Sequence, residues 1–181
     1  MPLETEQIHL RPATPGDKPA LHDLIARSAR GLSPEYAAAV VEGALTGAFG
    51  VDTQLIDDGT YFVAEADGKL AACGGWSKRK TLYGSDHRAG RDASLLDPAV
   101  DAAKIRAFFV APEFARQGIG SAMLAHCERA ALAAGFTRFE MMATLPGRNL
   151  YAVRGYQPRE SHFLEVAPGV SMELVLMTKT V

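Results

Sequence analysis

Two glycines, Gly118 and Gly120, follow an apolar run and precede an amphipathic one in Val110-Ala-Pro-Glu-Phe-Ala-Arg-Gln-Gly-Ile-Gly-Ser121. A strand that bends through glycines into a helix N-terminus presents backbone N–H groups with no intrahelical partner. The helix dipole adds partial positive charge at the same place. With no Cβ at either position, an oxyanion can approach the backbone closely. The chemistry expected of this segment is capture of a phosphorylated ligand; the competing reading is a tight turn that binds nothing.

Three kinds of glycine loop fit this description, and the flanking residues separate them. A dinucleotide-binding fingerprint needs a third glycine where Met123 stands, and a P-loop needs a lysine that Gly120-Ser121 lacks. The third kind is the pyrophosphate loop of coenzyme A-dependent N-acetyltransferases, Arg/Gln-x-x-Gly-x-Gly/Ala. Here it reads Ala115-Arg-Gln-Gly-Ile-Gly120, with alanine in the first place and Arg116 directly after it. Downstream, Leu150-Tyr-Ala-Val-Arg-Gly-Tyr156 matches a second signature, Tyr-x-x-x-Gly-Phe/Tyr, through Tyr151 and Gly155. On these two motifs, the stretch from Lys104 to Tyr156 resembles the GNAT superfamily of acyltransferases.

The resemblance implies an α/β (α+β) fold with a central, mixed, mostly antiparallel sheet, flanked by helices and splayed at its central strands. It implies acetyl-CoA as co-substrate, no metal, and direct attack on the thioester by a primary amine of a small molecule or peptide. Both reactants would be held in one ternary complex, which removes much of the entropic cost of reaction. By position, backbone groups of Phe108 and Val110 would bond the pantetheine arm. The N–H groups of Gln117, Gly118, Gly120 and Ser121 would hold the pyrophosphate; Arg116, the Gln117 side chain, Ile119, Asn149 and Arg154 complete the expected cofactor-binding set. Val110 N–H is the expected donor to the thioester oxygen. Tyr151 is the expected acid for the leaving thiolate, or else a packing residue beside it. Some family members use a glutamate near the start of the central strand. Lys104 stands there in this chain, which leaves the base open among Glu140, Asp86, His87 and a chain of waters. Glu140 is carried as the catalytic candidate. On the acceptor side the candidates are Trp76, for which a core position is the alternative, and His87.

The elements that must position these residues are legible in outline. Ile8-His-Leu-Arg11 reads as a first strand and Ala20, Leu21, Leu24, Ile25 and Ser28 as one face of a helix. Ser33-Pro34 reads as the start of a second helix that reaches Leu45. Thr60–Ala66 and Lys69–Ser77 are strands joined by the turn Asp67-Gly68, with Leu70, Ala72, Gly74 and Trp76 on one face. Lys104–Val110 is the central strand. From Gly120 to Ala134, the stripe Ala122, Met123, Cys127, Ala130, Ala131 and Ala134 marks a helix that Gly135 ends. Arg138–Thr144 is a strand, Asn149–Arg154 a short helix, and His162–Val166 with Ser171–Thr178 a closing hairpin around Pro168-Gly169. The basic stretch from Lys78 to Ala103 is either a solvated insertion or an acceptor-site lid, and its arginines hint at an acceptor that bears an anion.

With 181 residues and 48% hydrophobic ones, the chain suits one domain over 1–181 with a substantial core. A net charge of −2 gives no reason to expect nucleic acid as a partner. No apolar run approaches membrane-spanning length, and Met1–Gln7 lacks a secretion-signal pattern. Two cysteines, Cys73 and Cys127, show no metal-ligand spacing, and a reducing cytoplasm is expected. Cys127 lies on the apolar stripe and reads as core, not as an acyl-carrying nucleophile. The resemblance allows a homodimer. Because the family glutamate is missing, a non-catalytic acyl-CoA-binding sensor or interaction module stands beside the enzyme reading.

Overall fold

The computed structural model describes residues 7–181. Seven strands form one sheet in the order β1-β2-β3-β4-β5-β7-β6. They are β1 (His9–Pro12), β2 (Tyr61–Ala66), β3 (Lys69–Ser77), β4 (Ala103–Val110), β5 (Arg138–Thr144), β6 (Gln157–Ala167) and β7 (Val170–Thr180). Only β4 and β5 run parallel; the other neighbours are antiparallel. Five helices flank the sheet: α1 (Lys18–Gly31), α2 (Ala38–Ala44), α3 (Thr53–Asp57), α4 (Ile119–Ala133) and α5 (Arg148–Val153). This is the mixed, mostly antiparallel architecture that the motifs imply. Among the described residues no helix is long and apolar enough to cross a membrane. The reading of Met1–Gln7 falls on residues 1–6 outside the described ones, Gln7 excepted.

Helix α1 buries Leu21, Leu24, Ile25 and Ser28 as the spacing requires, together with Ala29, while Ala20 stays exposed. Helix α4 packs on β2, β3 and β4. Its buried stripe is Ile119, Met123, Leu124, Cys127 and Ala131. It is rotated from the alanine-based expectation because the larger side chains at 119 and 124 remove more apolar surface from water. The turn at Asp67-Gly68 takes φ of 52° and 69°, the backbone a two-residue hairpin demands.

Two parts of the sequence reading are corrected. The second helix does not start at Pro34. Pro34-Glu35 form a turn, Ala37 is extended, and helix begins at Ala38. The Tyr36 hydroxyl donates to Glu173 O (2.6 Å) and accepts from Leu145 N–H (2.9 Å), and these tertiary bonds pin the segment to the ends of β7 and β5. Helix α3 was not foreseen; buried Asp52 caps it by accepting from Leu55 N–H (3.4 Å). The stretch 78–102 is irregular but anchored. Arg79 forks onto Asp58 at 2.8 Å twice, Ser85 bonds Gly47 O, and Asp86 accepts from Thr53 N–H (2.8 Å) and Oγ (2.6 Å).

Two irregularities interrupt the sheet at its centre. Between Gly75↔Arg106 and Cys73↔Phe109, β4 holds one residue more than β3. The bulge is centred on Ala107, a non-glycine residue at φ 59°. On its other edge, β4 pairs with β5 only at Ala103↔Phe139 and Lys104↔Glu140, whereas β5 stays paired with β7 along its whole length. Beyond Lys104 the two parallel strands part.

The opposite edge of the sheet is stitched by Arg11. It forks onto Asp17 (2.9 Å twice) ahead of α1 and reaches Glu65 of β2 (2.9 Å). The guanidinium holds the Asp17 carboxyl at about 2, below its ordinary 3.8. A depressed folded-state value contributes stability above pH 3.8 that is lost as pH falls through about 2. Asp17→Asn is expected to cost about 1 kcal/mol at pH 7. In urea unfolding curves, its deficit against the parent protein should shrink between pH 4 and pH 2, the range set by those two values.

Candidate functional site

The gap left where β4 and β5 separate is the mouth of a cavity of about 920 Å³. Its walls are β4 from Ile105 to Val110, Met141, Met142 and Thr144 of β5, the N-terminus of α4 and part of α5. The α1–α2 connection, Phe49-Gly50 and Leu82–Gly84 complete its lining. So the tip of the basic stretch is a wall of the cavity.

At one end stands the start of α4. Arg116 (φ 63°) and Gly118 (φ 86°) turn the chain sharply, and Gly118 is the N-cap. A glycine cap has no side-chain acceptor, so the first helical N–H groups, those of Ile119, Gly120 and Ser121, are left without an intrahelical partner. Gly118 O accepts from Ala122 N–H (3.0 Å), the first helical bond. Nothing lies within 4 Å of where a Cβ on Gly118 would be, whereas a Cβ on Gly120 would stand 3.0 Å from Leu150 Cδ2. Gly118 is thus favoured by its left-handed backbone, and at Gly120 the close approach of Leu150 restricts the side chain to a small one. Arg116 and Asn149 are exposed and line this end. The Gln117 side chain turns back to Glu113 O (3.1 Å), outside the cavity wall. Arg154 Nε donates to Ser121 Oγ (3.2 Å) and docks on the α4 terminus without lining the cavity. Ile119 is 1% exposed, so only its backbone faces a ligand.

Midway, the free edge of β4 is offered to the gap. Ala111 N–H bonds Ala71 O of β3 (2.8 Å). Strand amides alternate in direction, so Val110 N–H faces the opposite edge, where β5 has left. The Phe108 ring meets Tyr151 edge to face at 6.3 Å. A Cβ on Gly74 would lie 2.9 Å from atoms of both Phe108 and Met123, so the glycine at 74 makes room for this ring. Tyr151 lines the cavity while 8% exposed, and burial holds its hydroxyl well above the ordinary value, hence protonated at neutral pH.

The other expected residues are not brought into the cavity. Glu140 lies beside Lys104 in the last parallel pair, and its carboxylate is bonded to Lys104 Nζ. Trp76 is 5% exposed and packs edge to face on Phe136 at 5.9 Å, a core position. The exposed His87 ring sits 6.4 Å from that of His22. The Asp86 carboxylate is engaged by Thr53. Sequence reasoning missed three wall residues: Glu35, Tyr83 and Arg106. Glu35 is the one carboxylate among the described residues that line the cavity. A signal for Arg106 was present, since an arginine inside the strand Lys104-Ile-Arg-Ala-Phe-Phe-Val110 needs a buried partner. No group of three or more His, Cys, Asp or Glu gathers as a metal site among the described residues.

Residues 19–160 match the family model described as Acetyltransferase (GNAT) family. Among solved structures, a GCN5-related N-acetyltransferase from Rhodopseudomonas palustris shares 17% identity at TM-score 0.72, over 100% of both chains. The PaiA N-acetyltransferase of Thermoplasma acidophilum, solved with coenzyme A, shares 13% identity over 96% of this chain and 99% of its own (TM-score 0.66). The ribosomal-protein-S18-alanine N-acetyltransferase of Escherichia coli shares 15% over 96% and 94% (TM-score 0.60). No curated protein matches the sequence.

Both cysteines are buried, and burial pushes the Cys73 thiol up to about 12 and that of Cys127, beside Tyr151, well above its ordinary range. Neither is a thiolate nucleophile. In the native protein at pH 8, mass spectrometry is expected to find neither alkylated by iodoacetamide during an incubation that fully modifies the urea-unfolded chain.

Proposed function

Because the chain belongs to the acetyltransferase (GNAT) family, we propose that it transfers an acetyl group from acetyl-CoA to a primary amine of a small molecule or peptide, by direct attack in a ternary complex. One observation supports this most. The parallel strands part after Lys104↔Glu140, and the gap leads to the glycine-capped start of α4. A thioester on a long, flexible arm that ends in a diphosphate has the shape of that gap. The PaiA relative was solved with coenzyme A, which favours the same ligand here.

Acetyl-CoA, as co-substrate, supplies the thioester. The amides of Ile119, Gly120 and Ser121 hold the diphosphate, with Arg116 and Asn149 beside them. Val110 N–H hydrogen-bonds the thioester oxygen and gains strength as negative charge develops there. Tyr151, kept protonated by burial, holds the proton that the departing thiolate takes. An alkyl ammonium with an ordinary pKa of about 10.4 must lose a proton before it attacks. Glu35 is the carboxylate in the cavity wall that can receive it, directly or through water. With Glu140 bonded to Lys104, it is not proposed as the base. A cytoplasmic setting belongs to the same reading and agrees with two free cysteines.

Lys104 also favours a second reading, because it stands where the resemblance places the glutamate that some family members use, and it ties up the neighbouring Glu140. In that reading the protein binds acyl-CoA without catalysis. Calorimetry with acetyl-CoA and thiol release with a panel of amines separate the two. The enzyme reading expects Tyr151→Phe to lower kcat about 10²-fold, with acetyl-CoA binding close to that of the parent. Gly120→Val should abolish binding by closing the space against Leu150. Binding without turnover of any amine would establish the second reading.

A further inference from the structure

We propose that the acceptor amine carries a carboxylate, so that the substrate is an amino acid or a close analogue, and that Arg106 determines this specificity by receiving the carboxylate. The inference deepens the acetyltransferase reading and rests on it.

Among the described cavity-lining residues only Arg106 and Arg116 are cationic, and Arg116 sits at the α4 end. Arg106 precedes the β4 bulge, in the half of the cavity away from α4, where an acceptor would lie. Its side chain is 2% exposed. Nη2 is fully engaged, with the Asp52 carboxylate and with Gly84 O (2.7 Å). Nη1 is buried and has no hydrogen-bond partner. Buried guanidinium N–H groups are costly to leave unpaired, so the leftover donor of this cavity-lining residue calls for an acceptor oxygen.

The local charge points the same way. The Asp52 oxygen that faces Arg106 is shared with Arg91 Nη1 (2.9 Å). Arg88 lies over the Tyr83 ring at 4.2 Å and bonds Tyr83 O and Oη (3.3 Å each). A Cβ on Gly84 would stand 2.5 Å from Arg88 Cδ, so the wall is shaped around this arginine. Two guanidiniums, those of Arg91 and Arg106, therefore share the Asp52 carboxylate, and Asp86, 4.0 Å from Arg91, is held by Thr53. Arg106 thus holds only a shared carboxylate oxygen, and a planar carboxylate suits the guanidinium edge left over. Burial would make that pairing stronger than at a surface.

The test compares the twenty L-amino acids with their α-amides, in the parent protein, in Arg106→Gln, and in Asp52→Asn/Arg106→Gln. The double variant removes both charges and keeps the test usable if the single variant does not fold. Acids are expected to exceed amides in kcat/KM, chiefly through KM, and the acid-to-amide ratio should fall about tenfold or more in a folded variant. Thermal unfolding with coenzyme A present gives a second readout that needs no turnover. Acids should raise Tm above their amides in the parent and not in the variants. A ratio that survives in the folded double variant would overturn the inference, as would parent protein that treats acids and amides alike. Nη1 would then be a structural donor to buried water. If acetyl-CoA binds but no amine is turned over, the acetyltransferase reading fails. The Tm comparison then decides the anion site alone: an acid-specific, Arg106-dependent shift upholds it, and no such shift overturns it.

Discussion

The site depends on the failure of two parallel strands to stay paired. β4 and β5 share only two register positions, and their separation leaves most of one β4 edge without a strand partner. Unpaired backbone groups inside a protein are costly unless something else bonds them. Here the edge faces a cavity, so a ligand able to hydrogen-bond an extended backbone can occupy it. The bulge at Ala107 belongs to the same device. It bends β4 and resets the alternation of its side chains, which puts Arg106 and Phe108 to different uses on either side of one strained residue.

The glycines around the gap act for different reasons. Gly118 supplies a left-handed backbone and, as a cap without a side chain, leaves the first amides of α4 open. Gly120 and Gly74 are needed for close packing, against Leu150 and against Phe108 with Met123. Phe108 in turn lies edge to face on Tyr151. A change at β3, far from the α4 terminus in sequence, therefore acts on the ring beside the phenol. This coupling arises from contact distances alone and has no trace in either motif.

Charge is distributed by partner, not by residue type. Glu140 and Lys104 neutralise each other where the strands still pair, Asp58 takes Arg79, and Asp86 takes Thr53. These pairings remove from consideration most of the ionisable groups that looked available for chemistry. Arg106 differs because its partner is shared and one of its nitrogens is left over. Tyr151 differs in another way: it has no ionic partner, and its buried phenol stays neutral at the cavity wall beside Phe108.

The full span of β3 and β5, the glycine turn into α4 and the short helix that carries Tyr151 were legible in the sequence. Those features are local: a strand period of two, a helical stripe and a glycine-bounded turn are dictated by residues a few positions apart. Helix α3 was not legible because its five residues are too few to show a helical period, and the delayed start of α2 was not because Tyr36 acts through partners distant in the chain. The same holds for Trp76, an aromatic residue that suits a pocket or a core equally until Phe136 is seen against it. Which carboxylate is free and which arginine lacks a partner was decided only by the tertiary structure. Hydrogen-bond satisfaction is a property of three-dimensional neighbours, and Asp52 and Arg106 meet across 54 residues of chain.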